Sequence, residues 1–162
     1  MARKRRFTIP HASYHVMVRG NNKMPIFKDN NNRAAFLEIL RNNKEKFHFK
    51  LFHYALMENH VHLILHFENG PDLSAAMKRI NIMYVKHYRR KYGGIGHFFQ
   101  DRFKSIPIQK GDYMSDCSRY VELNPVKSGE VEKPEDSPWT SYRTYMGEQN
   151  DLVDFDPEYL GL

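Results

Sequence analysis

A chain of 162 residues, 41% hydrophobic and 14% aromatic, is long enough for one domain with a proper core and too apolar for wholesale disorder. Lys and Arg outnumber Asp and Glu by 25 to 19, and the resulting +6 charge and pI near 9.4 favour polyanionic partners, above all nucleic acid. The single Cys117 excludes an intramolecular disulfide and a Cys-based zinc cluster. No window approaches a membrane span, and the basic start MARKRRFTIP lacks the apolar run of a signal peptide, so a soluble cytoplasmic protein is expected.

Residues 12–19 set Tyr14, Val16 and Val18 against His15, Met17 and Arg19, the alternation of a strand, which the polar run GNNKMP ends. Asp29 is placed to cap a helix through about Lys46, with Ala35, Phe36, Ile39 and Leu40 as its apolar stripe. Two further strand-like runs, 48–57 and 60–67, flank the short turn Glu58-Asn59 and predict a hairpin. From Asp72 to Tyr92 the period becomes helical through Leu73, Ala76, Met77, Ile80 and Tyr84, and Gly93-Gly94-Ile95-Gly96 breaks it. Residues 103–109 predict a fourth strand, with Pro107 pointing to a sheet edge. A second capped helix is expected from Asp112 to about Asn124, before Pro125. Beyond Ser128 an irregular extension, about 129–162, has Trp139 as its anchor, and 1–10 form a basic arm. The order β-α-β-β-α-β-α predicts an α+β ferredoxin-like sandwich: one antiparallel sheet with helices on one face. That topology hosts many activities and names none.

Three groups of residues carry candidate chemistry. In a strand, His60 and His62 point to one side and Val61 and Leu63 to the other. Two imidazoles with Cα atoms roughly 6–7 Å apart can converge on one cation, or can be core residues that happen to be histidine. His66 continues the same face, as a third ligand or as a polar residue at the strand end. In RYVELNPV, Tyr120 and Asn124 share a helical face: an amide oxygen that can ligate a hard ion beside a phenol that can attack a phosphate, or a core tyrosine and a helix-ending asparagine. Third, cations alternate with aromatic rings in Arg3, Lys4, Arg5 and Arg6, in Lys78, Arg79, Arg89 and Arg90, and in the stretch GHFFQDRFK with Gln100, Arg102 and Lys104. Cations neutralise phosphates and rings stack unpaired bases, although the stretch 78–91 also fits a simple solvated helix face.

The blocks YHVMVRGNNKMPIF, LMENHVHLIL, GHFFQDRFK, RYVELNPVKSG and SPWTSYRTYMG occur in an order that resembles the single-tyrosine HUH transposases of insertion sequences, and more closely their REP-associated tyrosine transposase relatives. The His-hydrophobic-His signature is matched by His60-Val61-His62. The resemblance spans nearly the whole chain and implies a single HUH domain over 1–162, with a C-terminal helix carrying the tyrosine. It implies a DNA strand transferase that cleaves and rejoins single-stranded DNA near REP-like hairpins through a 5′-phosphotyrosine intermediate. Carried over by motif, Tyr120 is the nucleophile. His60, His62 and, in place of a residue that is often glutamine, Asn124 hold Mg²⁺ or Mn²⁺. Glu58 replaces a common proline, and Lys127-Ser128 replaces the usual Arg-Ala at a place taken to lie outside the chemistry. Relatives work as monomers or as homodimers. Two other readings compete: a nucleic-acid-binding module without catalysis, and a metallonuclease that uses water instead of Tyr120.

Overall fold

The computed structural model describes residues 2–160. Strands β1 (Ala12–Arg19), β2 (Lys50–Leu56), β3 (His60–Phe67) and β4 (Lys104–Ile108) form one sheet in the order β2-β3-β1-β4, with every neighbouring pair antiparallel. Helix α1 (Asn30–Phe47) joins β1 to β2, and α2 (Asp72–Tyr92) joins β3 to β4, so each crossover skips one strand. This is the expected ferredoxin-like arrangement, with α1 and α2 packed together on one face of the sheet.

Alternation sorts the strands' side chains. Tyr14, Val16 and Val18 of β1 and Val61, Leu63, Leu65 and Phe67 of β3 share a core with Phe36 and Leu40 of α1 and Leu73, Met77, Ile80 and Tyr84 of α2. Phe36 is fully buried between Phe27 and Tyr84, with ring centroids 5.7 and 5.4 Å away. Phe36→Ala is therefore expected to cost about 3–5 kcal/mol and to lower the melting temperature by about 10 °C in a thermal unfolding scan.

Asp29 caps α1 as the sequence predicts, its Oδ1 accepting the Asn32 N–H at 2.8 Å. Oδ2 takes the Lys91 ammonium at 2.7 Å and the Tyr92 hydroxyl at 3.0 Å, tying the start of α1 to the end of α2. The Lys91 contact and the cap hold the Asp29 carboxyl down from 3.8 to about 2. A depressed folded-state pKa gives stability that is complete above the ordinary value and is lost as pH falls through the depressed one. Asp29→Ala should thus melt below wild type at pH 7, with a gap that closes between pH 4 and about 2 in melts across that range.

The other face of the sheet is covered by α3 (Asp112–Glu122), followed by the one-turn α4 (Asn124–Lys127). Its own small core joins Phe52, Ala55, Met57 and Ile64 to Met114 and Val121. Two sequence expectations need correction here. Asp112 does not cap α3: the cap position is Gly111 at φ 85°, with no side-chain bond, and Asp112 lies in the first turn. Nor does the helix run unbroken to Asn124: it ends at Glu122, and Asn124 opens α4 because Pro125, lacking an N–H, is tolerated in a first turn.

The chain after α4 contains α5 (Tyr142–Tyr145) and α6 (Pro157–Leu160) and runs along the free edge of β2. Leu56 N–H donates to Trp139 O at 2.9 Å, Ser141 N–H to Tyr54 O at 3.0 Å and Asp154 N–H to Leu51 O at 2.8 Å, covering backbone groups that would otherwise pair with another chain. Trp139 Nε1–H reaches Asn30 Oδ1 at 3.1 Å, tying this segment to α1. Among the described residues no helix is long and apolar enough to cross a membrane.

Candidate active site

The α3 side of the sheet carries the residues that the other side cannot use. On β3 these are His60, His62, Ile64 and His66, and the register sets them opposite Arg19, Met17, His15 and Ser13 of β1. A bulge between Leu51 and His53 of β2 places His53 opposite Ile64, and its Nδ1 meets Glu122 of α3 at 2.6 Å. Ser141 Oγ–H donates to the same Glu122 oxygen at 2.8 Å, and the Tyr145 ring stacks on His53 at 4.5 Å. This buried polar knot fixes the rotation of α3 two residues from Tyr120. Glu122→Ala leaves the buried His53 Nδ1 without its partner, and about 3–5 kcal/mol of stability should be lost in urea unfolding.

With α3 so held, Tyr120 stands edge-on to two imidazoles, its ring centroid 5.7 Å from that of His62 and 5.9 Å from that of His15. His60 and His62 are 4.9 Å apart by centroid. Tyr120 keeps 43% of its surface exposed, whereas His62 is buried, so the phenol sits at the mouth and the imidazole at the floor.

Neighbouring groups orient both rings of the pair. His60 Nδ1–H donates to Asn59 Oδ1 at 2.6 Å, leaving the lone pair on Nε2. His62 Nδ1 is 2.8 Å from His15 Nε2, and with one proton between them a donating His62 likewise keeps its Nε2 lone pair. Burial, then the charges of His15, His60 and Arg19, push His62 down to about 3. Burial and Arg19 lower His60 as well, opposed by a hydrogen bond with the Asn124 side chain, and burial lowers His15. All three rings are held neutral, the form in which imidazole ligates a cation.

Asn124 belongs to α4 rather than α3, and its side chain acts on His60 against that lowering. Among the described residues no group of three or more His, Cys, Asp or Glu side chains could hold a metal ion. The donor set around the pair is therefore two imidazoles and an amide. Such a neutral set suits a divalent cation that also takes oxygens from a phosphate and water, and on that chemistry the residues fit Mg²⁺ or Mn²⁺.

His66 is not part of this group. It is buried, its Nδ1 3.1 Å from Ser13 Oγ and its Nε2 3.0 Å from Glu68, with Tyr159 against the ring at 4.2 Å. Of the two readings open for it, the polar strand-end residue is the one that holds.

Of the DNA-binding candidates, Gln100, Arg102 and Lys104 line a small cleft of about 80 Å³ with Met17, Arg19 and the carboxylate of Asp101, on the Tyr120 side of the sheet. Arg3, Lys4, Arg5 and Arg6 meet Arg102 in a wider groove of about 520 Å³ that reaches Ser74 at the start of α2. Arg6 is structurally committed, stacked 3.5 Å over the Phe103 ring and donating to Phe103 O at 2.6 Å and Ser105 Oγ at 3.0 Å. Lys78 and Arg79 are exposed on α2, one turn beyond Ser74. Arg89 and Arg90 are not brought to Tyr120: Arg89 donates to Gly96 O at 2.5 Å, and Arg90 opens on a groove between α1 and α2.

Three residues here were not among the sequence candidates. His15 and Arg19 stand on the polar side of the β1 alternation, which is the signal that could have found them, since that side faces the histidine pair. Lys127 lies 4.9 Å from the Tyr120 ring centroid, so the Lys127-Ser128 departure does not lie away from the site as expected.

The transposase family described as "IS200 like" matches residues 8–124, which spans β1 through Asn124 and so includes His15, His60, His62, Tyr120 and Asn124. The chain belongs to the IS200-like transposases. Among solved structures, this IS200-like chain is similar to a REP-associated tyrosine transposase bound to a REP hairpin. The TM-score is 0.75 and the identity 20%, with 96% of this chain and 95% of that one covered. A chain from Deinococcus radiodurans R1, provisionally named a transposase, matches at TM-score 0.48 and 17% identity over 80% of this chain and 94% of that one. No curated protein matches. The likeness to the first structure establishes the shared α+β fold, from the four-stranded sheet to its helices.

Proposed function

We propose that this transposase cleaves and rejoins single-stranded DNA beside hairpins, with Tyr120 as the nucleophile and His60, His62 and Asn124 holding Mg²⁺ or Mn²⁺. The observation that carries the reading is the meeting of Tyr120 with His62, 58 positions apart in sequence, within a chain of transposase family. A divalent ion at that donor set supplies Lewis-acid stabilisation of the charge that builds on a non-bridging phosphate oxygen.

The chain's own groups do the rest. Tyr120 Oη attacks phosphorus and its proton passes to solvent, which the exposed ring admits. The bond from phosphorus to the 3′ oxygen breaks, and that oxygen takes up a proton to leave as a 3′-OH. The 5′ side of the break remains on Tyr120 as a phosphodiester, so the bond's energy is kept and a 3′-OH can attack it in reverse without ATP. Arg19 beside the pair and Lys127 over the Tyr120 ring offset phosphate charge. Arg102, Lys104 and the arm residues Arg3, Lys4 and Arg5 continue the cationic path for the strand and its hairpin.

Tyr120 meets His62 of its own chain, which supports cleavage in cis by a monomer. Imidazole donors favour Mn²⁺ over Mg²⁺, so adduct formation should be faster with manganese at equal concentration. The test is incubation with fragmented genomic single-stranded DNA and Mn²⁺, then sequencing of what stays bound after denaturation. Enrichment of hairpin-flanking sequence is expected, and DNA cut without any adduct would instead indicate hydrolysis by water.

A further inference from the structure

Beside the Tyr120 group lies a groove of about 470 Å³ that the proposed chemistry does not use. Its walls are Ile106, Pro107, Ile108 and Gln109 from β4 and the turn after it, Tyr113 and Cys117 from α3, and at its inner end His15. His15 is the ring that bonds His62 and touches Tyr120, so the groove opens directly onto that group. The helix supplies the same continuity: Tyr113, Cys117 and Tyr120 recur at spacings of four and three and form one stripe, with Tyr113 roughly 10 Å up the axis from Tyr120.

Two large apolar side chains stand open on its walls. Ile106 is 63% exposed and Tyr113 67% exposed, and both would be better covered if a flat apolar ring slid between them. Register places Ile106 opposite His15 and Lys104 opposite Met17, so this face of β4 passes from cation to apolar in one step. A strand lying along it with its phosphates at the Arg19–Lys104 cleft would bring its next base to the Ile106–Tyr113 walls. Cys117 adds an inert wall, its thiol pushed up to about 11 by burial. Gln109, exposed at the rim, offers an amide with both donors and an acceptor to a base edge.

We propose that this groove is a nucleobase slot: it takes one unpaired base of the strand under attack, stacked on Tyr113 and backed by Ile106, and so sets which phosphate stands before Tyr120. The slot rests on the transferase reading for its purpose, but its occupancy can be read apart from cleavage.

The probe is a DNA hairpin with unpaired flanks, carrying 2-aminopurine at one flank position at a time. Stacking on a tyrosine quenches its fluorescence. One flank position should be quenched by wild type and by Tyr113→Phe, which keeps the ring and drops the hydroxyl, but not by Tyr113→Ala; the side chain is exposed, so the variant should keep its fold. Adduct formation on the same DNA should fall about tenfold in Tyr113→Ala and be retained in Tyr113→Phe. An abasic site at the quenched position should slow wild type equally and slow Tyr113→Ala no further. Quenching at no position, or equal quenching by Tyr113→Ala, overturns the slot. Quenching without adducts in wild type keeps the slot and sinks the transferase reading instead.

Discussion

Tyr120→Phe is expected to abolish covalent attachment to DNA while hairpin binding stays close to wild type. The substitution removes one oxygen from a ring whose face and edge contacts with His15, His62 and Lys127 stay in place, so structure and affinity have no reason to change. What disappears is the only atom of that side chain able to displace the 3′ oxygen. Denaturing gels read the adduct, and a mobility shift reads the binding. Persistent adducts in the Phe variant would move the nucleophile to another tyrosine. Tyr113 would come first, since it is exposed on the same stripe of α3.

The second large effect concerns the histidine pair. His60→Ala and His62→Ala should each lower adduct formation by at least about 100-fold, and EDTA should do the same to wild type. The two variants differ in a useful way. His62 is buried and bonded to His15, so its loss also leaves His15 without a partner and should lower the melting temperature, whereas half-buried His60 should leave it nearly unchanged. His15→Ala tests the orienting bond: about 10–100-fold weaker affinity for the added ion is expected, with activity recovering at high Mn²⁺. Full cleavage in EDTA by wild type would remove the metal from the account.

Much of this was legible in the residues. Alternation with period two marked β1, because one face of that strand lies in the main core and the pattern of Tyr14, Val16 and Val18 cannot be satisfied otherwise. The same parity put His60, His62 and His66 on one side, and Asp29 announced the start of α1. Other features depend on contacts that no single stretch encodes. The bulge that turns His53 toward Glu122 breaks the alternation of β2, and only the partner strand reveals the skipped residue. The separation of His66 from the pair is decided by Ser13 and Tyr159, from elsewhere in the chain, together with Glu68 two residues on. His15 was visible as the polar side of β1, yet its role emerges only when register sets it diagonally beside His62. The gap between α3 and α4 misled for a local reason: Pro125 signals a helix end, and a new first turn accepts it just as readily. Arg89 and Arg90 read as part of a basic face, but α2 lies across the sheet from Tyr120, a fact of topology and not of charge.

The most direct test of the central claim is mass spectrometry of the covalent product. Wild-type protein is incubated with hairpin-bearing single-stranded DNA and Mn²⁺, digested with nuclease and protease, and its peptides are weighed. The peptide containing Tyr120 should carry a nucleotide through its 5′ phosphate, and the mass should vanish in Tyr120→Phe and in EDTA. A nucleotide on any other residue, or DNA cleaved with no peptide modified, would contradict the account.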